Sequence, residues 1–190
     1  MATPLRPGKI PPDLLREILS EQADLPNEIR LGPALGEDGC AIDVHEGTLI
    51  AAADPITLTG HEVGAHAVTI NANDVAVMGV RPRWFLAVVL FPTGTCENDV
   101  RALFASMRSA LDVVGATLVG GHTEVSDAVR QTVVVGQMMG FSADHCFLRT
   151  GGVRTGDLIV QAGSAPVEAA AVLAAELLPR LDELDRKSVV

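Results

Sequence analysis

Ala72-Asn73-Asp74-Val75-Ala76-Val77-Met78-Gly79-Val80-Arg81-Pro82 closes a helical run that opens at about His61. Val63, Ala67, Ile70 and Val77 recur at helical spacing, and Gly79 followed by Pro82 forms the stop signal. Asp74 stands four residues after Ile70 and three before Val77, which places it on the same apolar stripe. A carboxylate that faces inward needs a partner, so the stretch predicts a helix that carries Asp74 toward a pocket or a cation.

Working outward, Trp84 to Phe91 reads as a strand, and Thr95 as the cap of a second long helix with Glu97 and Asp99 in its first turn. Val100, Leu103, Phe104, Met107, Leu111 and Val114 keep that helix in period, and Gly115 ends it. Ala116 to Val119 predicts a short buried strand running into a Gly120-Gly121-His122 loop, and Thr132 to Met139 a further strand. Upstream, Cys40 to Val44 and Thr48 to Ala53 read as strands, the second stopped by Asp54-Pro55. Pro11-Pro12-Asp13 opens a short helix with Leu14, Leu15, Ile18 and Leu19 on one face. Strands outnumber helices without regular βαβ alternation. The expected class is α+β, a sheet with helices packed on one face.

Three regions follow: an arm and helix over 1–30, a principal domain over 31–150, and the opening of a second α+β domain over 151–190. The third rests on a turn-rich joint at Gly151 to Asp157, a strand at Asp157 to Gln161 and an alanine-rich helix to about Leu178. One strand and one helix do not bury a core alone.

Of the 190 residues, 48% are apolar and only 3% aromatic, so the core is built from aliphatic and small side chains. The net charge of −10 and the lack of aromatics argue against a nucleic-acid partner. Cys40, Cys96 and Cys146 are odd in number and form no CxxC, which argues against a disulfide scaffold or zinc site and for a reduced, cytoplasmic setting. No apolar run reaches the ~18 residues of a membrane span, and the first residues show no signal core, so no membrane is expected.

Four acidic sites stand beside glycine or at the end of an apolar run: Gly36-Glu37-Asp38-Gly39, Asp54, Asn73-Asp74, and Gly120-Gly121-His122-Thr123-Glu124. Gathered in one pocket, such carboxylates repel one another unless cations neutralise them. Hard oxygen ligands suit Mg²⁺, with nucleotide phosphates completing its shell. The pattern therefore predicts a metal–nucleotide site.

The Ala72–Pro82 run, with the Gly36 to Ala41 loop, Asp54 and Gly120-Gly121-His122-Thr123, resembles the AIR synthase-related (PurM-like) superfamily over about residues 30–165. Its members include AIR synthase, thiamine monophosphate kinase, selenophosphate synthetase and HypE. The resemblance implies a PurM N-terminal-like domain whose sheets pair into a barrel-like homodimer, with a PurM C-terminal-like domain after it. It implies ATP near the dimer interface, and Mg²⁺ on Asp38, Asp54 and Asp74, with Glu124 a further ligand. Gly36, Asn73, Gly120, Gly121, His122 and Thr123 are the implied nucleotide contacts. His122 departs from the Asp or Glu of many relatives, and the glycine-rich segment that several carry is not seen before Gly32.

Asn-Asp-Val-Ala-Val-Met-Gly over 73–79 is most similar to the HypE branch. The implied function is activation of an oxygen of a small or protein-bound substrate by ATP-dependent phosphoryl transfer. HypE uses a C-terminal cysteine as acceptor, and this sequence closes on Lys187-Ser188-Val189-Val190, so that particular chemistry is not expected of it. The alternatives are a thiamine monophosphate kinase-like or selenophosphate synthetase-like enzyme, or a non-catalytic dimerising nucleotide-binding module that acts on a partner protein.

Overall fold

The apolar repeat around Asp74 does form a helix, but its buried face is rotated from the expected one. In this computed structural model, which describes residues 11–20, 25–37, 39–57 and 62–163, helix α2 spans Val63–Val77. It buries Val63, Gly64, Ala67, Val68, Asn71, Ala72 and Val75. Val77 is 59% exposed, and Asp74 sits half-buried at the margin of the inward face. The polar side chain in the centre is Asn71, fully buried, because the 63-64-67-68-71-72-75 row holds smaller, better-packing residues than the 63-67-70-74-77 row.

The described elements run α1 (Pro12–Ser20), β1 (Ile29–Leu31), β2 (Cys40–Val44), β3 (Gly47–Ile56), α2, β4 (Pro82–Pro92), α3 (Glu97–Val114), β5 (Thr117–Ser126) and β6 (Val133–Ser142), then a 3-10 turn at Thr150–Gly152. The class is mixed α+β. A single six-stranded sheet has the order β1-β2-β3-β6-β4-β5. β4 and β5 are parallel and joined through α3; the other neighbours are antiparallel. One βαβ unit therefore stands in an otherwise antiparallel sheet, in line with the absence of regular βαβ alternation in the sequence.

Helices α2 and α3 cover one face. Phe85, Ala87, Val89 and Phe91 of β4 and Val134 and Met138 of β6 point into that core with Leu103, Met107 and Leu111 of α3. The two helices meet closely at Gly64, where a Cβ would stand 2.4 Å from the Leu103 carbonyl oxygen. On the other face Trp84, Leu86, Val88 and Leu90 of β4 alternate with Val133, Val135 and Met139 of β6; among the described residues α2 and α3 leave this face uncovered, and Leu19 of α1 lines a cleft with Met139 at its β3 end. This apolar side is only half-buried, chiefly by its own neighbours.

Several boundaries differ from those read in the sequence. β3 continues through Asp54-Pro55 to Ile56. β2 pairs with it only as far as Cys40↔Ala51, so Pro55 lies on an open edge where its missing N–H leaves no gap. The Gly120–Glu124 segment is the middle of β5, not a loop after it, and β5 is an exposed edge strand instead of a buried one. Thr95 does not cap α3. Cys96 is the N-cap, and the Asp99 carboxylate accepts from its backbone N–H at 2.9 Å, while the Thr95 hydroxyl donates to the Pro92 carbonyl. Gly115 ends α3 in the left-handed conformation, as expected (φ +75°).

No strand forms at Asp157–Gln161. Leu158, Ile159 and Val160 are 90%, 92% and 84% exposed and have no sheet neighbour among the described residues. The alanine-rich helix expected after Ser164 lies outside the described residues.

The β2–β3 hairpin is locked at its turn end. The buried Thr48 hydroxyl donates to Asp43 at 2.5 Å, Arg30 donates to the other carboxylate oxygen at 3.0 Å, and the His145 ring stands 3.3 Å away. Thr48, then Arg30 and His145, hold the Asp43 carboxyl down to about 2, from an ordinary 3.8. The folded state thus binds this proton less readily than the unfolded chain. The stability gained is complete above pH 3.8 and is lost as the pH falls toward about 2. Asp43→Asn is expected to lower the urea midpoint at neutral pH and to flatten its fall across that acid window. An unchanged slope in the variant would refute the assignment.

Candidate functional site

Asp54 is brought to α2 by main-chain hydrogen bonds. Its N–H donates to Asn71 Oδ1 at 2.8 Å, and its carbonyl accepts from Asn71 Nδ2 at 3.4 Å. Two turns on, Met78 and the Ala51 carbonyl crowd Gly39: a Cβ there would lie 2.9 Å from each. The row Asn71, Asp74, Met78 on α2 therefore runs from Asp54 at one end to the Gly36–Gly39 loop at the other, with Asp74 between. Asp54 is exposed, and alternation along β3 puts its side chain on the helix side of the sheet. Asp38 itself lies outside the described residues.

A cleft of about 570 Å³ opens beside the same loop, on the sheet face opposite α2, with Leu19 of α1 at its rim. It is lined by Glu37, Gly39 and Cys40 from the loop and β2, Ala53 from β3, and Gln137 and Met139 from β6. Its walls are mostly small and apolar, with one carboxylate and one carboxamide for orientation, the usual make-up of a small-molecule site. The loop stands where β2 stops pairing with β3, so the edge of β3 beyond Ala51 is open to a ligand.

Glu37 has a role that the sequence did not disclose. Its carboxylate accepts from the backbone N–H groups of Thr150 at 3.2 Å and Gly151 at 3.4 Å. It thereby caps the 3-10 turn and ties residues 149–152 to the loop that carries Asp38. Leu148 N–H also donates to the Met78 carbonyl at 2.8 Å, at the end of α2.

The remaining expected residues stand elsewhere. Gly36 has φ +86° with nothing near its Cβ position, so its backbone is open on that side. Asn73 is exposed on α2. Gly120, Gly121, His122, Thr123 and Glu124 all lie on β5, which β4 and β6 separate from β3. Three strand spacings put them about 14 Å across the sheet from Asp54. His122 and Glu124 pair with each other at 3.3 Å, in register with Val88 and Leu90 on the uncovered face. Gly121 has a steric reason of its own, since a Cβ would come within 1.9 Å of the Ala87 carbonyl oxygen. One chain thus joins the strand of Asp54 to the helix of Asp74 through Asn71 and sets Gly39 against Met78, while Glu124 and His122 stand on a strand far across the sheet.

The profile described as "AIR synthase related protein, N-terminal domain" matches residues 36–142. The chain belongs to this family. Its relatives include a carbamoyl dehydratase HypE of Rhodobacter capsulatus, 28% identical over 88% of this chain and 51% of its own length. A thiamine-monophosphate kinase of Methanospirillum hungatei is 27% identical over 70% of this chain and 49% of that protein. The family member therefore spans about half the length of these relatives. Among solved structures, AaThiL complexed with AMPPCP and TMP shares the fold, with a TM-score of 0.61 and 17% identity over 86% of this chain and 56% of that one.

Asn71 was absent from the sequence expectations because the helical stripe was phased on Asp74. Two signals point to it: an Asn amid small residues four positions after Ala67, and Gly136 in the middle of an apolar strand, which marks a close approach. Glu37→Ala is expected to free the 149–152 segment. Loss of two charge-assisted bonds worth about 1 kcal/mol net raises its open population about fivefold. Trypsin cleavage after Arg149 should accelerate by that factor, and an unchanged rate would show that the tie does not hold the segment.

Proposed function

We propose that this chain binds ATP with Mg²⁺ where the Gly36–Gly39 loop, the second half of β3 and α2 meet, and activates an oxygen of a small or protein-bound acceptor by phosphoryl transfer. The observation that carries this reading is the meeting of the acidic elements on the helix side of the sheet: Asn71 of α2 binds the main chain of Asp54, and Gly39 packs against Met78 at the end of α2. The cleft on the other face shares Glu37 and Gly39 with that loop. A nucleotide seated in the cleft would reach the acidic residues round the edge of β3 that β2 has left. The relatives, a carbamoyl dehydratase and a thiamine-monophosphate kinase, support the family chemistry at nearly equal identity, so the acceptor is left as an oxygen common to both classes.

The donor set fits the metal. No group of three or more His, Cys, Asp or Glu side chains able to hold an ion stands among the described residues. Mg²⁺ does not need one, because it binds through one or two carboxylates and keeps phosphate oxygens and water for the rest. Asp54 and Asp74, with Asp38, are the proposed ligands. Bound there, the ion would offset the charge of the transferred phosphoryl group. It would also offset the repulsion between a polyanion and a chain of net charge −10. Gly36 offers an open backbone to phosphate, and Asn73 an exposed carboxamide beside Asp74.

A homodimer belongs to this reading. The uncovered face formed by Trp84, Leu86, Val88 and Leu90 with Val133, Val135 and Met139 is apolar and continuous, which suits a second copy. Since β5 stands three strands from β3, Gly120, Gly121, His122, Thr123 and Glu124 would act on the nucleotide of that second copy. Residues 151–190 are read as the opening of a second domain, and the setting as cytoplasmic. Among the described residues no helix is long and apolar enough to cross a membrane. The second reading is a dimerising nucleotide-binding module that acts on a partner protein without chemistry of its own.

Calorimetry of ATP with and without Mg²⁺ tests the site. Asp74→Asn is expected to weaken the Mg²⁺-dependent binding at least about tenfold, roughly 1.4 kcal/mol. Absence of metal-dependent binding in the unaltered chain would sink the proposal. Binding without acceptor-dependent ADP release would select the module. For the dimer, Leu86→Asp is expected to convert a sedimenting dimer into a monomer at micromolar concentration, and a monomeric unaltered chain would exclude the interface.

A further inference from the structure

We propose that Asn71 is the positioning residue of Asp54, and that Gly136 is its steric complement. The inference rests on the nucleotide–metal reading above and deepens it, because Asn71 itself touches neither the cleft nor solvent. Its side chain is 0% exposed. Nδ2 donates to the Ala67 carbonyl of its own helix at 2.9 Å and to the Asp54 carbonyl at 3.4 Å, while Oδ1 accepts from the Asp54 N–H at 2.8 Å. The orientation of the carboxamide is fixed by its partners, since a backbone N–H can only donate and a carbonyl only accept.

The contact falls at one particular residue. β2 leaves β3 at Ala51, so the main-chain groups of Asp54 have lost a strand neighbour. Asn71 supplies the donor and acceptor that a strand would have supplied. Pro55 follows at once and offers no N–H, so Asp54 is the last residue before it that a carboxamide can grip at both ends. On the opposite strand Gly136 pairs with Asp54, and a Cβ there would lie 2.3 Å from Asn71 Nδ2 and 2.8 Å from its Cγ. The strand is thus hollowed out under the carboxamide.

Packing alone does not call for this residue. Asn is a poorer helix former than Leu or Ala, and a buried carboxamide gives its best return only when every group is paired. What Asn71 adds over an apolar side chain is a fixed backbone at Asp54, three residues from Asp74 on the same helix. It sets the spacing between the two carboxylates that would share the cation.

The test uses Asn71→Leu, which keeps an apolar filling of similar size, and Asn71→Asp, which keeps the acceptor for the Asp54 N–H and loses the donor. Fold is followed by circular dichroism and urea unfolding, the clamp by hydrogen exchange at the Asp54 amide, and the site by ATP affinity with and without Mg²⁺. A positioning role predicts a folded Asn71→Leu variant with faster exchange at Asp54. It also predicts an Mg²⁺ enhancement of ATP affinity reduced at least about tenfold, with metal-free ATP affinity within about twofold of the unaltered chain. A folded variant that retains the Mg²⁺ enhancement overturns the inference and leaves the nucleotide reading standing. An unaltered chain without any Mg²⁺ enhancement overturns both. Failure of both variants to fold makes Asn71 a folding residue and overturns the positioning role.

Discussion

A single buried carboxamide joins the long helix to the strand that carries the acidic end of the site. Removing one side of that contact would strand a buried donor or acceptor at a cost of about 1–3 kcal/mol. The arrangement is also exclusive: Asn71 fits only because Gly136 has no side chain, and the Gly136 position is set by the pairing of β3 with β6. Helix, two strands and the start of the 52–56 open edge are thereby fixed relative to one another. The placement of Asp54 and Asp74 follows from that frame.

The rest of the sheet serves the same frame from a distance. Gly64 lets α3 press against α2, which holds α2 down on β3 and β6. Glu37 ties the acidic loop to the chain that leaves the sheet after β6. Both are contacts between segments far apart in sequence, one at each end of α2. The far edge, β5, carries a second polar group in His122 and Glu124 that the first cannot reach within one molecule.

Much of this was legible in the sequence, and the failures have physical causes. The two long helices, β2, β4 and β6 announced themselves by period and by glycine stops, and the family motif was read from the residues that carry it. The phase of α2 was misjudged because alanine and glycine weigh little as apolar markers, yet here they form the buried row. Pro55 was taken as a terminator because sequence does not show which strands lie on an edge. β5 was cut short at Gly120 for the same reason: glycines that mark a loop in one setting mark the tight approach of two strands in another. The strand at Asp157–Gln161 has the right residues, and lacks a neighbour to pair with among those described.

The order β1-β2-β3-β6-β4-β5 places the last of the described strands between two made earlier. During synthesis β3 and β4 emerge from the ribosome with facing edges that neither can close. The gap stays open until Ser142, the end of β6, has cleared the exit tunnel. Long-range pairing of this kind forms slowly and leaves apolar edges exposed meanwhile. Gly136, under the Asn71 carboxamide, and Gln137 and Met139, in the cleft wall, all arrive with that strand. The nascent chain therefore cannot assemble its pocket piecemeal, and the pocket comes into being in the same event that completes the sheet.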